Sequence, residues 1–202
     1  MLLEECVAAC REHGVRCDTD LITGVVANEI CERARAADLV VIGHRGINER
    51  FSTGLLGGTT ESVTRKSPRP VFVSPRQFQT ISRPLLAYDG SQRASAALHS
   101  AAEFCAVTDL PLTVLHAITR EGNGEEKVLD EARRYLASYG VQVEFLSLVG
   151  HAYQRIVECI QDRGYDLLFI GAYGHSRIIE MVLGSTTEYV LRNTPCPVFL
   201  SR

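Results

Sequence analysis

One pattern occurs twice along this chain, and that repetition narrows the fold before any single element is assigned. The sequence matches itself at a shift of about 126 to 128 residues. Gly14-Val15 falls on Gly140-Val141, Gly24 on Gly150, Ile30 on Ile156, and Asp38-Leu39 on Asp166-Leu167. Gly43 and Gly46 meet Gly171 and Gly174. The run Leu56-Gly57-Gly58-Thr59-Thr60-Glu61 meets Leu183-Gly184-Ser185-Thr186-Thr187-Glu188, and Pro68, Pro70, Val71 and Phe72 meet Pro195, Pro197, Val198 and Phe199. Chance does not place glycines, prolines and a Thr-Thr-Glu in one order twice. The copies are unequal: the second has a preamble, from Pro84 to about Asn123, that the first lacks.

The complete copy alternates strand and helix. Residues 85–88 read as a strand, and Ser91 caps a helix whose Ala94, Ala97, Leu98, Ala101 and Ala102 recur at helical spacing. Residues 112–118 form a second strand, and a helix running to Tyr139 closes on Gly140, a residue type common just past helix ends. Strand 141–147, helix 152–163, strand 166–170, helix 186–192 and strand 197–200 follow. Strands apolar on both faces, alternating with helices, predict an α/β fold with a doubly wound parallel sheet covered on both sides. The ligand site of such a sheet lies beyond the strand C-termini, at the switch point. The expected division is a partial copy at residues 1–75, a linker at 76–83 and a complete domain at 84–202.

Two loops fall at that end of the sheet. One is Ala87-Tyr-Asp89-Gly-Ser91; the other runs from Gly171 through Gly174 and, after nine residues, to Gly184-Ser185. Glycine there permits sharp turns and lets main-chain N–H groups approach a ligand. Ser185-Thr-Thr-Glu188 reads as a capping box, with Ser185 at the N-cap and Glu188 reaching back. That places free backbone N–H groups and the positive end of a helix where a phosphate chain would bind.

The glycine segment, followed by Thr-Pro195-Cys-Pro-Val-Phe-Leu-Ser-Arg202, resembles the universal stress protein family. The start Leu85-Leu-Ala-Tyr-Asp89-Gly-Ser91 and the strand end Leu115-His116-Ala117 resemble the same family. The likeness covers residues 84–202, and residues 1–75 as an incomplete copy. It implies strand order 3-2-1-4-5 and a site for ATP, or ADP or AMP, with magnesium bridging the phosphates. It further implies that Asp89, with Ala87 and Tyr88, holds the base and ribose end and that the Ala117 backbone meets the adenine edge. Gly171, Gly174, Gly184, Ser185 and Thr186 would cradle the phosphates. Family members commonly pair their last strands antiparallel across a pseudo-twofold, which implies a homodimer or an intramolecular pseudo-dimer built from residues 70–74 and 197–201. The resulting expectation is a tandem, nucleotide-responsive stress protein; a nucleotide-free interaction module and a slow ATP hydrolase are the alternatives.

Other residues carry two readings. Arg177 is either a phosphate contact or a solvated loop arginine, and Tyr173 either stacks on a base or covers the loop. An Asp before Gly-Ser also organises a strand-to-helix turn, and Asp89 is open to both jobs. His175 is a lone histidine better suited to hydrogen bonding than to base catalysis, and His116 and His151 sit at element ends without a Ser or Cys partner. No nucleophile elbow, Walker loop or carboxylate pair emerges. The chain also lacks the Ser-Gly-Gly-x-Asp-Ser loop of adenylylating α/β enzymes.

Composition closes several classes. The net charge is -3 with the signs mixed, so nucleic acid is a poor partner. The longest apolar stretches are far short of a membrane span, and acid follows Met1 where a signal peptide would carry base, which points to the cytoplasm. Seven cysteines without a CxxC pair or suitably spaced His read as reduced, buried thiols rather than a metal site.

The first copy departs from the pattern. It lacks the Asp loop and the adenine strand, its glycine segment is one residue longer, and Gly58 stands where Ser185 caps the second copy. Residues 15–22 are expected to form a strand, but one with no obvious neighbour. An upstream start or truncation is the favoured expectation, with rearrangement or a second chain as the alternatives.

Overall fold

The computed structural model describes residues 2–44, 57–77, 79–118, 125–172 and 184–202. In chain order these form α1 (Leu2–Glu12), α2 (Val26–Ala34), β1 (Val40–Gly43), α3 (Gly58–Lys66) and β2 (Val71–Ser74). The second copy contributes β3 (Pro84–Ala87), α4 (Gln92–Thr108), β4 (Leu112–Ile118), α5 (Glu125–Leu136), β5 (Val143–Val149), α6 (Ala152–Arg163), β6 (Leu167–Gly171), α7 (Ser185–Asn193) and β7 (Val198–Ser201).

All the strands join one seven-stranded sheet in the order β1-β2-β7-β6-β3-β4-β5. Within the second copy that is the order 3-2-1-4-5. Its neighbours are parallel, as βα connections require. Among the described residues the one antiparallel pairing joins the copies: Val71 sits opposite Leu200, Phe72 opposite Phe199 and Val73 opposite Val198. The final strands of the two copies thus meet inside one chain, and neither is an edge.

Alternating side chains send two cores to opposite faces. Leu86, Tyr88, Val114 and Phe169 pack beneath α4 and α5. Leu85, Leu115, Leu168, Ile170 and Leu200 pack beneath α6 and α7, and the same layer continues through Val71 and Val73 to Ala27, Ala34 and Val63 of α2 and α3. Helix α4 is Ala-rich where it crosses the sheet, with Ala97, Ala101 and Ala102 fully buried. Short side chains there let the helix backbone come close.

The expected strand at 15–22 does not form; residues 15–25 carry no regular structure. The reason lies in the neighbour. Its counterpart β5 pairs along its whole length with β4, from Leu112↔Val143 to Ile118↔Val149. The first copy has no counterpart of β4, so the segment has no ladder to join and cannot satisfy its N–H and C=O groups as a strand. Helix α5 also closes earlier than expected, at Leu136, and a turn carries the chain to Gly140 at φ 68°. Among the described residues no helix is long and apolar enough to cross a membrane.

Candidate functional site

The C-terminal ends of β3, β4 and β6 converge with the first turns of α4, α6 and α7 around a cleft of about 210 Å³. Strand β3 delivers Ala87 and Tyr88, and the chain then turns at Asp89-Gly90. Asp89 Oδ1 accepts the Ser91 N–H at 3.0 Å, so this carboxylate does organise the turn. Gly90 sits at φ 75°, and a Cβ there would lie 3.2 Å from Val128. Ser91 caps α4 as expected, its hydroxyl accepting the Ala94 N–H at 3.2 Å.

The cap of α7 differs from its sequence reading. Gly184 is the N-cap, Ser185 is the first helical residue, and no side chain makes a cap bond. Glu188 donates its N–H to the Gly184 carbonyl at 2.9 Å, while its carboxylate pairs with Arg192 at 2.6 Å. One residue of shift removes the capping box, because Glu188 is then a residue too far to reach back. In the first copy Gly57 likewise caps α3, with Gly58 already helical. The Ser185 hydroxyl is therefore not committed to the cap, and the first turn of α7, which lines the cleft, has no side-chain cap bond to its N–H groups.

Ala87, Tyr88, Asp89, Ala117, Gly171, Gly184, Ser185 and Thr186 line this one cleft. Gly174, along with Tyr173, His175 and Arg177, lies outside the described residues. Gly171 has a structural duty as well. A Cβ there would stand 2.5 Å from the Arg93 carbonyl carbon and 2.8 Å from the Ala94 nitrogen, so β6 can meet the start of α4 only through glycine.

The walls divide by chemistry. Leu115, Ala152, Ile156 and Ile170 make an apolar side, while Ser185, Thr186 and Thr187 present the start of α7. Among the described lining residues the charged ones are Asp89 and Arg93, of opposite sign. Burial pushes the Tyr88 phenol up, with Ser95 working the other way and Glu131 and Asp89 adding to the rise. Sequence reading did not assign Arg93, Ala94, Leu115, Ala152, Ile156, Ile170 or Thr187 to the site. Leu115 was within reach, since it precedes Ala117 by two on a strand and so shares its face. The α6 residues carried no local signal. Only the packing of α6 across β4 brings them in.

The histidines separate. His116 is buried and its Nδ1 lies 2.8 Å from the Tyr88 carbonyl. His151 precedes α6 and stacks on Tyr153. Among the described residues no three His, Cys, Asp or Glu side chains gather as a metal site.

The first copy reproduces only part of this. Gly43 ends β1, Gly57 caps α3, and Thr60 Oγ1 donates to the Gly43 carbonyl at 2.8 Å. His44 follows, and its Nε2 bonds the Leu191 carbonyl in the last turn of α7, which ties the two copies together at the end of the sheet away from the cleft, because β2 and β7 run antiparallel. Nothing in this copy corresponds to Asp89 or Ala117.

Comparison with known proteins places the fold. A model described as the universal stress protein family matches residues 2–75 and 81–202. A universal stress protein of Synechocystis is 40% identical over 167 residues, covering 82% of this chain and 58% of that protein. The chain thus spans a little over half the length of that relative. A solved universal stress protein of Archaeoglobus fulgidus superposes with a TM-score of 0.85 at 25% identity, over 99% of this chain and 76% of that one. A universal stress protein in complex with cAMP superposes over 61% of this chain and 98% of its own, with a TM-score of 0.54 at 24% identity.

Proposed function

The chain belongs to the universal stress protein family, and from that premise we propose that its cleft binds one adenine nucleotide, ATP or a shorter relative. The observation that carries this is the convergence, in one cleft, of an apolar wall, a carboxylate and an open helix N-terminus. A purine ring suits the side made by Leu115, Ala152, Ile156 and Ile170, where burial of apolar area favours it. Asp89 keeps one oxygen in its turn and has the other for ribose hydroxyls. The first turn of α7, with Gly184, Ser185 and Thr186, suits phosphate oxygens through N–H groups and the positive helix end. Gly174 joins that cradle on this reading, and magnesium accompanies the phosphates. A universal stress protein of the same fold occurs in complex with cAMP, itself an adenine nucleotide.

Nucleotide occupancy would act as a signal rather than drive turnover. Binding at a cleft framed by α4, α6 and α7 stabilises the state in which those helices are in place, by an amount set by ligand concentration over Kd. We assign this role to the cytoplasm, with the β2–β7 pairing acting as an internal pseudo-dimer interface. Native mass spectrometry with and without Mg·ATP tests the reading. One nucleotide per folded chain is expected. A folded chain that takes up none overturns it and leaves the glycine loop as architecture.

A further inference from the structure

Strand β3 ends before β4 does, and that mismatch draws a buried side chain to the edge of the cleft. The parallel ladder between them runs Leu85↔Thr113, Leu86↔Val114 and Ala87↔Leu115. One further bond extends it, from the Tyr88 N–H to the Leu115 carbonyl at 2.9 Å. A regular parallel ladder would next pair the Tyr88 carbonyl with the Ala117 amide. Here the His116 imidazole meets that carbonyl instead, with Nδ1 at 2.8 Å.

Side chains alternate along β4, so Leu115 and Ala117 face the cleft while His116 faces the α4–α5 side with Val114. His116 is therefore not part of the cleft lining, although it grips the residue directly before Asp89. Because the Tyr88 carbonyl can only accept, the imidazole must carry its proton on Nδ1. Its burial, at 9% relative exposure, removes water as a competing donor.

We infer that His116 is a positioning residue for the nucleotide site: its Nδ1–H holds the Tyr88 carbonyl, which fixes the Asp89 turn and frees the Ala117 main chain for the ligand. The inference rests on the nucleotide reading above. Its two consequences are linked. With the Tyr88 carbonyl supplied by a side chain, the Ala117 amide is left to the cleft. With both main-chain polar groups of Tyr88 tied to β4, Asp89 is held at a set distance from that amide.

Two polar variants separate donor position from packing. His116→Asn puts an amide N–H near the place of Nδ1, whereas His116→Gln puts it near Nε2. Both are titrated with Mg·ATP by calorimetry and melted without ligand. The Asn variant is expected to bind within about threefold of wild type and the Gln variant at least tenfold more weakly, with both melting close together. Two variants that both match wild-type affinity overturn the inference, as do two that lose affinity and melting temperature in parallel, which marks His116 as core packing. In either case wild-type binding persists and the site reading stands. A folded wild-type chain that takes up no Mg·ATP overturns the site reading itself, and this inference with it.

Discussion

Helices α1 and α5 occupy the same place in the repeated pattern, and their fates differ. At the shift that sets Gly14 on Gly140, Leu3 and Cys6 of α1 correspond to Leu129 and Ala132 of α5. Leu129 and Ala132 are 6% and 0% exposed, whereas Leu3 is 41% exposed and Cys6 lies on the surface. Strands β1 and β6 repeat the contrast. Val41 is 66% exposed, and its counterpart Phe169 is fully buried beneath α4. Amphipathic patterning sets which face wants burial. Burial itself needs an opposing surface, and the first copy has no counterpart of β3, α4 or β4 to supply it.

Core deletion should break the symmetry of the repeat most strongly. Phe169→Ala is expected to cost about 3–5 kcal/mol in a denaturant titration, while Val41→Ala stays within about 0.5 kcal/mol. Equal costs would mean that Val41 is covered in solution and that the copies are less different than they look. Ligand binding comes next. Gly184→Val should weaken nucleotide binding a hundredfold or more, about 2.7 kcal/mol by calorimetry, and Gly57→Val should leave it nearly unchanged. Similar losses from both would show that the copies share the site.

A smaller effect is expected at the strand–helix contact. Gly171→Ala forces a Cβ to within 2.5 Å of the α4 backbone, which should cost about 1–3 kcal/mol. A neutral result would show that α4 can slide along the sheet. The least disruptive test is thiol labelling of the native chain. Cys6 should react readily with an alkylating reagent, and Cys105, Cys159 and Cys196 only on unfolding. Burial pushes the Cys105 thiol up to about 11 and the Cys196 thiol up to about 12. Both therefore stay protonated in the fold. Their contribution to stability is complete below pH 9, the ordinary thiol value, and declines as pH climbs through 11 to 12. A melting temperature that stays flat across that alkaline range would contradict their burial.

The sequence was most legible where local and global demands agreed. Ser91 was readable as a cap because its own hydroxyl does the capping, three residues before Ala94. Strand 112–118 and helix 152–163 were placed to the residue, since each has clear turn signals at both ends. The α7 cap was misread because Ser185-x-x-Glu188 fits the capping pattern as well as Gly184 does, and only the φ and ψ of Gly184 decide between them. Segment 15–22 was misread for a different reason. Its apolar pattern is a strand's, but a strand needs a partner, and the partner's absence is not written within those residues. The exposure of Cys6 follows likewise: a helix without an opposing sheet leaves even a thiol in water.

The strand order came with the family resemblance; by itself the sequence determined the repeat, the parallel α/β class and the loops that meet at one end of the sheet. Those depend on periodicity, turn residues and a duplicated motif, all of which act over short stretches of chain. Tertiary structure alone decided which of two like segments became strand, which hydrophobic faces were covered, and that the Tyr88 carbonyl would take an imidazole 28 residues away. Each of these turns on whether a second surface stands opposite the first, and that depends on how distant parts of the chain come together.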